Sequence, residues 1–497
     1  MKSQDIEPSD SRDSKIISNI ELNIWEALIP VVALIIMLFY NVFYAYGDDA
    51  LSGSNQFILL MGAAIAAIVG FFNKMKFDQM LEQVAQNIKS TSTAILILLL
   101  VGALAGTWLI SGIIPTMIYY GLQILNPTIF LATCVIICAI ISVATGSSWT
   151  TSATVGIALI GIADAMNIPL GMTAGAILSG AYFGDKISPL SDTTNLAPAM
   201  AGTDLFTHIR YMLYTTIPSL VITILVFIIL GLNIDTTGTA NTQAILASVK
   251  ESINVSPWLF LVPIIVIIMI VKKTPPLIAL LLGVLLGAAA ALIFQPEIVA
   301  SIGGASTLTF KSGYMGIMDA ITVDSSIHTD NEALQDLFKA GGMKGMLETV
   351  WLILCAMVFG GVMDAIGALS AISKALLSIF HTTFGLFAST VASCLALNLT
   401  ASDQYLTIVV NGKMYAQAYE DKGLAPENLS RTLEDSGTVT SVLIPWNTCG
   451  AYHSGVLHVD TLHYAGYAVF NWLSPFMTLL FAAFRIKIRQ LANGKEA

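Results

Sequence analysis

Charged side chains are scarce in this chain of 497 residues. They account for 11% of the residues, whereas 56% are hydrophobic, and soluble domains contain about 25% charged residues. The stretch from Ser90 to Ala163 contains 74 residues without one Asp, Glu, Lys or Arg. Because one helix needs only about 20 apolar residues to cross a bilayer, this stretch predicts several membrane crossings and argues against an ordinary soluble fold.

Cysteine is also rare, and the alternating pattern of membrane strands is missing. The five cysteines, Cys134, Cys138, Cys355, Cys394 and Cys449, lie in apolar runs without CxxC spacing, which predicts buried free thiols. The apolar runs are continuous, whereas outer-membrane strands alternate over about ten residues. The sequence therefore predicts an all-α polytopic membrane protein with about 10–14 membrane segments. Nothing in its net charge of −10 indicates a nucleic-acid partner.

Basic residues cluster at a few boundaries of the apolar runs, and by the positive-inside rule these boundaries face the cytoplasm. Such clusters occur at Lys74 and Lys76, at Lys272 and Lys273, and at Arg485, Lys487 and Arg489. This distribution predicts a multi-pass protein of the bacterial-type cytoplasmic (inner) membrane with both termini in the cytoplasm. The predicted organisation is a cytoplasmic tail (1–22), a first repeat (23–235), a linker (236–256), a second repeat (257–487) with an external insertion (296–345), and a C-terminal tail (488–497).

The two repeats are predicted from polar landmarks that recur at one offset. Ser148 and Asp403 are 255 residues apart, the prolines Pro189 and Pro445 are 256 apart, and two turns ending in Pro169 and Pro426 are 257 apart. Because the two halves begin on opposite sides of the membrane, they are predicted to be inverted-topology repeats with discontinuous helices. Carriers that work by alternating access have this architecture, although a single proline also kinks an ordinary membrane helix.

Ionisable residues inside the membrane are functional candidates, because each costs at least about 2.5–3.5 kcal/mol there. Pro189 cannot donate to the carbonyl of Asp185, so carbonyl, carboxylate and hydroxyl oxygens are predicted to form a site for a hard cation. We predict Na⁺ binding at Asp185, Asp192 and Thr193. The wider set of predicted ion- or substrate-binding residues adds Ser148, Ser188, Ser191, Asn195, Asp403, Glu434, Asp435, Thr438, Asn447 and Thr448.

A carboxylate that binds either a proton or a sodium ion makes the two ions compete, and this competition is antiport. Asp192, Asp403 and Asp435 are the predicted proton-exchange residues, and Lys186, next to Asp185, is the predicted counter-charge. His453, His458 and His463 do not form an HExxH pattern, which disfavours an intramembrane metalloenzyme and favours a solvated outer loop or a pH sensor. A channel remains a further alternative, but channels need no exchanging carboxylates.

Two long motifs resemble the NhaC family of Na⁺/H⁺ antiporters. They run from Gly180 to Ala199 (GAYFGDKISPLSDTTNLAPA) and from Leu429 to Thr438 (LSRTLEDSGT), with IPWNTCG from Ile444 to Gly450. The resemblance implies a larger group of ion transporters with paired re-entrant hairpins and, often, homodimers. It implies exchange of Na⁺ for H⁺ with no cofactor beyond the transported ion. The alternative it leaves open is a Na⁺-coupled carrier of a small organic acid, such as malate or lactate, or of an amino acid.

Overall fold

A computed structural model describes residues 22–46, 53–124, 126–234, 242–272, 274–329, 335, 338–379 and 382–491. Within these ranges, eight helices are long and apolar enough to cross a membrane, or nine if the pair Ile245–Ser252 and Pro257–Val271, bent by 86°, is one span. Three shorter apolar helices bring the total into the predicted range of about 10–14 segments. The all-α polytopic class predicted from the sequence is confirmed. Residues 1–21 and 492–497 of the predicted tails lie outside the described residues.

The first half of the chain contains helices α1 to α10. They are α1 (Ile24–Tyr40, continued by a π-helix Asn41–Tyr46), α2 (Ser54–Phe72), α3 (Phe77–Ile110), α4 (Ile113–Ile124), α5 (Pro127–Thr145), α6 (Ser148–Thr151, continued by a π-helix Ser152–Gly156), α7 (Ile157–Ala165), α8 (Leu170–Ile187), α9 (Asp192–Ala201) and α10 (Leu205–Leu232).

The predicted linker contains α11, and the predicted insertion contains three short helices and two paired strands of two residues each. These elements and the spans beside them are α11 (Thr242–Ser252), a 3₁₀ turn (Pro257–Phe260), α12 (Leu261–Val271), α13 (Pro276–Phe294), α14 (Pro296–Ile302), α15 (Phe310–Thr322), β1 (Ser325–Ser326), antiparallel to β2 (Lys339–Ala340), and α16 (Gly342–Gly345).

The second half closes the chain with helices α17 to α24. They are α17 (Leu347–Ala365), α18 (Ala368–Ile379), α19 (Thr383–Thr400), α20 (Gln404–Asp421), α21 (Pro426–Leu433, continued by a π-helix Glu434–Thr438 and a 3₁₀ turn Ser441–Leu443), α22 (Thr448–Leu457), α23 (Thr461–Ala465) and α24 (Val469–Ala483).

Helices in the two halves begin at positions separated by one constant interval. The starts of α5 and α19, of α6 and α20, of α8 and α21, and of α9 and α22 are each 256 residues apart. The residues just before α6 and α20 also share a backbone conformation, since Gly146 and Ser402, again 256 apart, have φ of 70° and 58°. The breaks therefore recur in the same order, while the inverted orientation of the halves stays a prediction.

Each of the four recurring breaks ends where a short polar side chain caps the next helix. Ser147 accepts from the Thr150 N–H, Asp403 from Leu406, Ser191 from Thr194 and Asn447 from Cys449. A cap of this kind satisfies one of the N–H groups that a helix start leaves without a partner. The small polar residues that interrupt the apolar runs are thus the reason why new helices begin there.

Helices α5 and α8 approach closely because α8 presents glycines to α5. A Cβ atom at Gly180 would lie 2.2 Å from the Val135 carbonyl oxygen, and one at Gly184 would lie 2.5 Å from the Val143 nitrogen. The contact is tightened by Ser188 Oγ, which donates to the Val143 carbonyl at 2.8 Å. Small residues at helix contacts allow such backbone approach in membranes, and this approach positions the end of α8 beside the start of α6.

Replacing Gly184 by Val is expected to push α8 away from α5 and to destabilise the protein by about 1–3 kcal/mol, the usual range for overpacking. The measurement is the midpoint of thermal unfolding in detergent. Gly466→Ala is the control, because no atom lies within 4 Å of a Cβ at Gly466. A Gly184→Val protein as stable as the wild type would contradict this account of the contact.

Candidate cation site at the helix breaks

Asp185 lies one turn before the end of α8 and is 7% exposed. One oxygen of its carboxylate, Oδ2, accepts from the Ser148 backbone N–H at 3.1 Å and from the Ser148 hydroxyl at 2.6 Å. Ser148 and Asp185, two of the candidate residues, are thus in contact at the start of α6. A carboxylate held by the first N–H groups of a helix is well placed in its field.

The main-chain carbonyl of Asp185, which Pro189 leaves without a regular helical donor, has found other partners. Thr194 Oγ1 donates to the carbonyl oxygens of Asp185 and Lys186, each at 3.0 Å, and the Ser188 N–H donates to Asp185 at 3.2 Å. The break between α8 and α9 is thus closed by side chains of α9 itself. The sequence pattern located this break, but it did not identify Thr194 as the residue that closes it.

The second half repeats this arrangement with a different chemistry. Gln404 and Ser441 lie 256 residues after Ser148 and Asp185, and the Ser441 hydroxyl lies 3.4 Å from Gln404 Oε1. The same two positions are thus in contact in both halves, but only the first half has a carboxylate there. In the second half the carboxylate belongs to Asp403, which is 3% exposed and accepts from Thr448 Oγ1 at 3.3 Å.

Carboxylates from both halves lie near one tyrosine at the start of α20. Tyr405, which is 40% exposed, lies within electrostatic range of Asp185, Asp192 and Asp403. Asp192 itself begins α9 and is exposed, and it lies near enough to Asp185 for the two carboxylates to repel each other. A cation that entered from the solvent would therefore meet Asp192 before the buried Asp185.

The other predicted residues near the breaks mainly shape the backbone. Ser191 Oγ lies 3.2 Å from Thr193 Oγ1, and Asn195 Nδ2 donates to the carbonyls of Ser191 at 2.6 Å and Pro189 at 3.0 Å. In the second half, Asn447 Nδ2 donates to the Asn398 carbonyl at 3.0 Å. Ser191, Thr193 and Thr448 retain hydroxyl oxygens close to the converging carboxylates.

Lys186 forms its ion pair with Asp435, 249 residues away, and both side chains are fully buried. Lys186 Nζ also lies 3.1 Å from Ser474 Oγ. The second oxygen of Asp435 accepts from Thr215 Oγ1 at 2.9 Å and from Thr478 Oγ1. This pair joins α8 to the π-helix of the second half and to α10 and α24, and it leaves Asp435 with donors on both oxygens.

Glu434 precedes Asp435 in the chain but differs from it in hydrogen bonding. Its side chain is fully buried, and neither carboxylate oxygen has a hydrogen-bond partner among the described residues. The Thr438 hydroxyl lies beside it without reaching hydrogen-bond geometry. Glu434 and Thr438 therefore lie in the buried polar interior of the second half, on the π-helix that carries Asp435.

The expectation of a solvated loop at His453 is wrong. His453 lies on α22, is fully buried and is surrounded by aromatic rings, with centroids 5.1 Å from Tyr452, 5.5 Å from Tyr182 and 6.3 Å from Trp149. Trp149 stacks on Tyr452 at 3.9 Å. This aromatic contact between α6 and α22 was missed, because the sequence does not show which rings of helices remote in the chain meet. All five cysteines are buried with free thiols, as predicted.

Paired broken helices, converging carboxylates and at least eight apolar spans in the described residues define the class as a polytopic secondary transporter. A model of the Na⁺/H⁺ antiporter family matches residues 180–486, and a model of the C4-dicarboxylate anaerobic carrier matches residues 4–232. The chain belongs to the Na⁺/H⁺ antiporter family. The motifs that suggested the NhaC resemblance lie within the first of these matches.

Similar proteins exchange more than one kind of solute. The chain is 36% identical to the Na⁺/H⁺ antiporter NhaC of Alkalihalophilus pseudofirmus over 88% of its length and 92% of the relative. It is 34% identical to the malate-2H⁺/Na⁺-lactate antiporter of Bacillus subtilis over 88% and 89%. It is 31% identical to the arginine/ornithine antiporter ArcD of Halobacterium salinarum over 92% and 90%. The relatives thus share antiport and differ in the solutes exchanged.

Proposed function

We propose that this protein exchanges Na⁺ for H⁺ across the cytoplasmic membrane by alternating access. The observation that carries the proposal is the convergence of Asp185, Asp192 and Asp403 at Tyr405, where the breaks of both halves meet. Lys186, next to Asp185 in the chain, is held by Asp435, so it does not neutralise the negative charge of the three carboxylates. Carboxylates and hydroxyls suit a hard cation, and competition of protons for the same oxygens couples the two ions.

The roles of individual residues are part of this proposal. Asp185 binds Na⁺ together with Ser148, Ser191 and Thr193, whereas the exposed Asp192 attracts cations, and Asp192 and the buried Asp403 exchange protons. The proposed carrier needs no cofactor beyond the ions it transports. Both termini are proposed to lie in the cytoplasm because the basic residues cluster on that side, and a homodimer stays a prediction.

The test is reconstitution in liposomes with a pH-sensitive dye in the lumen. Addition of NaCl outside is expected to make the lumen more alkaline, because sodium enters as protons leave, and choline chloride is expected to have no effect. The alkalinisation should persist when the membrane potential is clamped to zero. If sodium moves no protons in the absence of any organic solute, the proposal of simple Na⁺/H⁺ exchange is wrong.

A second candidate function is Na⁺-linked exchange of a small organic acid or amino acid. The specific observation in its favour is Arg431, which is fully buried and whose three guanidinium nitrogens have no hydrogen-bond partner among the described residues. It lies against the Tyr211 ring at 4.5 Å, so a solute carboxylate would supply the missing acceptor. Proton movement that appears only when malate, lactate, arginine or ornithine is added would favour this function.

A further inference from the structure

Glu434 is completely buried, and within the described residues its carboxylate makes no hydrogen bond of regular geometry, with the Thr438 hydroxyl as a polar neighbour. It begins the π-helix Glu434–Thr438, is 0% exposed, and has two oxygens without donors in the described part of the chain. An ionised carboxylate in this condition is very costly, whereas the neutral acid is far cheaper to bury. Its neighbour Asp435 has donors on both oxygens, so the two adjacent acids differ sharply in their requirements.

The surroundings of Glu434 offer little to a sodium ion. The carbonyls of the turn already accept from side chains, with Asn398 donating to Gly437 at 2.7 Å, Ser441 to Thr438 at 2.6 Å and Asn471 to Val439 at 2.8 Å. A hard cation binds through several oxygens at once. Besides the Glu434 carboxylate itself, the oxygens left without a partner at this turn among the described residues are the Thr438 hydroxyl and, on α24, Asn471 Oδ1, and neither carries a charge. The position therefore suits a proton, which needs a single oxygen.

The charged groups that face Glu434 come from two elements. They are Asp185 and Lys186 of α8 and Asp435 of the same π-helix. Arg431, one turn earlier, is directed towards Tyr211 and Phe481. Helices α19, α20 and α24 also pack against this turn and contribute neutral side chains, among them Cys394, Thr407 and Asn471. Lys186 and Asp435 largely cancel each other's charge because they form an ion pair. Of these three groups, Asp185 is therefore the one whose charge interacts with that of Glu434 without compensation.

We propose that Glu434 is a further proton-carrying residue of the exchange and that the charge it gains or loses controls the binding of a sodium ion at Asp185, without Glu434 coordinating that ion. This inference rests on the proposed function. When the Glu434 O–H bond breaks and its proton leaves, the new carboxylate adds a negative charge near Asp185 and strengthens sodium binding there. When the proton returns, sodium binding weakens. Such coupling is reciprocal, so bound sodium also favours loss of the proton.

The test measures sodium binding by the purified full-length protein in detergent, with radioactive sodium, from mildly acidic to alkaline pH. Wild-type affinity is expected to rise with pH. Glu434→Gln, which imitates the protonated acid, is expected to bind sodium about tenfold more weakly than the wild type at alkaline pH, a typical coupling between two sites, and to lose most of the pH dependence. Glu434→Asp keeps a titratable acid and is expected to keep the dependence.

Glu427→Gln is the matched control, since it makes the same change in a buried residue of α21. Glu427 pairs with Arg489 at 2.8 Å, at the other end of this helix, and its variant should retain the wild-type pH dependence. The proposal is overturned if Glu434→Gln binds sodium with the wild-type pH dependence. It is also overturned if Glu434→Gln binds no sodium at any pH, because Glu434 would then be a ligand. Binding is measured without transport, so these results decide the role of Glu434 even if exchange in liposomes fails.

Discussion

Replacing Asp185 by Asn is expected to reduce sodium-driven proton movement in liposomes to the level of protein-free vesicles. The substitution keeps the size of the side chain and one oxygen that can accept from Ser148. In the wild type, the Ser148 hydroxyl and backbone N–H donate to Asp185 Oδ2 at 2.6 Å and 3.1 Å. The substitution removes a charge that is buried and held at the start of α6. Because a sodium ion in a buried site needs a compensating charge, binding is expected to fall by at least about 100-fold.

The control for this experiment is Asp204→Asn. Asp204 is exposed and caps α10 through the Thr207 N–H at 3.0 Å, and Asn is an equally good cap. The control should retain exchange, so that a loss in Asp185→Asn reports on the site. If Asp185→Asn inserts and melts like the wild type and still exchanges sodium for protons, the sodium site must lie at Asp192 or Asp403.

The helix breaks could be predicted from the sequence because their causes are local. Pro189 and Pro445 interrupt apolar runs, and the polar residues beside them cap the next helices, so landmarks at offsets of 255 to 257 in the sequence correspond to helix starts 256 apart. Ser148 and Asp185 were both candidates on this basis, although their contact was not predicted. Each of these features depends on residues within one or two turns.

The partners of the buried charges could not be predicted, because they are supplied by helices remote in sequence. Lys186 is next to Asp185 in the chain, yet consecutive residues of a helix point in different directions, and its amine meets Asp435. The difference between Glu434 and Asp435 is equally invisible in the sequence. It arises because Thr215, Ser474 and Thr478 surround one acid while the other receives no donor within the described residues.

These contacts divide the buried charges into two groups with different consequences. Lys186 and Asp435 neutralise each other and join the two halves, which is a structural task. Asp185, at the breaks, and Glu434 lack a cationic partner among the described residues, so their charges are available to respond to sodium and protons. Asp435 was predicted to exchange protons, and that role stays a prediction. Variants of the Lys186–Asp435 pair, measured for both stability and exchange, test it.

Replacing Lys186 by Met is expected to destabilise the protein by about 3–5 kcal/mol, because it leaves the buried Asp435 without its counter-charge. The double variant Lys186→Met with Asp435→Asn removes both charges and is expected to recover most of this loss. The measurements are thermal unfolding in detergent and the yield of folded protein in the membrane, combined as a double-mutant cycle.

The exposed pair of Lys344 and Asp324 serves as the control for this cycle. Its charged atoms are 3.6 Å apart and its side chains are 62% and 74% exposed, so Lys344→Met should change stability by less than about 0.5 kcal/mol. A Lys186→Met protein as stable as the wild type would show that the pair does not hold the halves together. If the double variant recovers both stability and exchange, Asp435 is a structural partner of Lys186 and the transported proton is carried elsewhere. If stability returns without exchange, the pair itself takes part in transport, because an intact fold then lacks only these two charges.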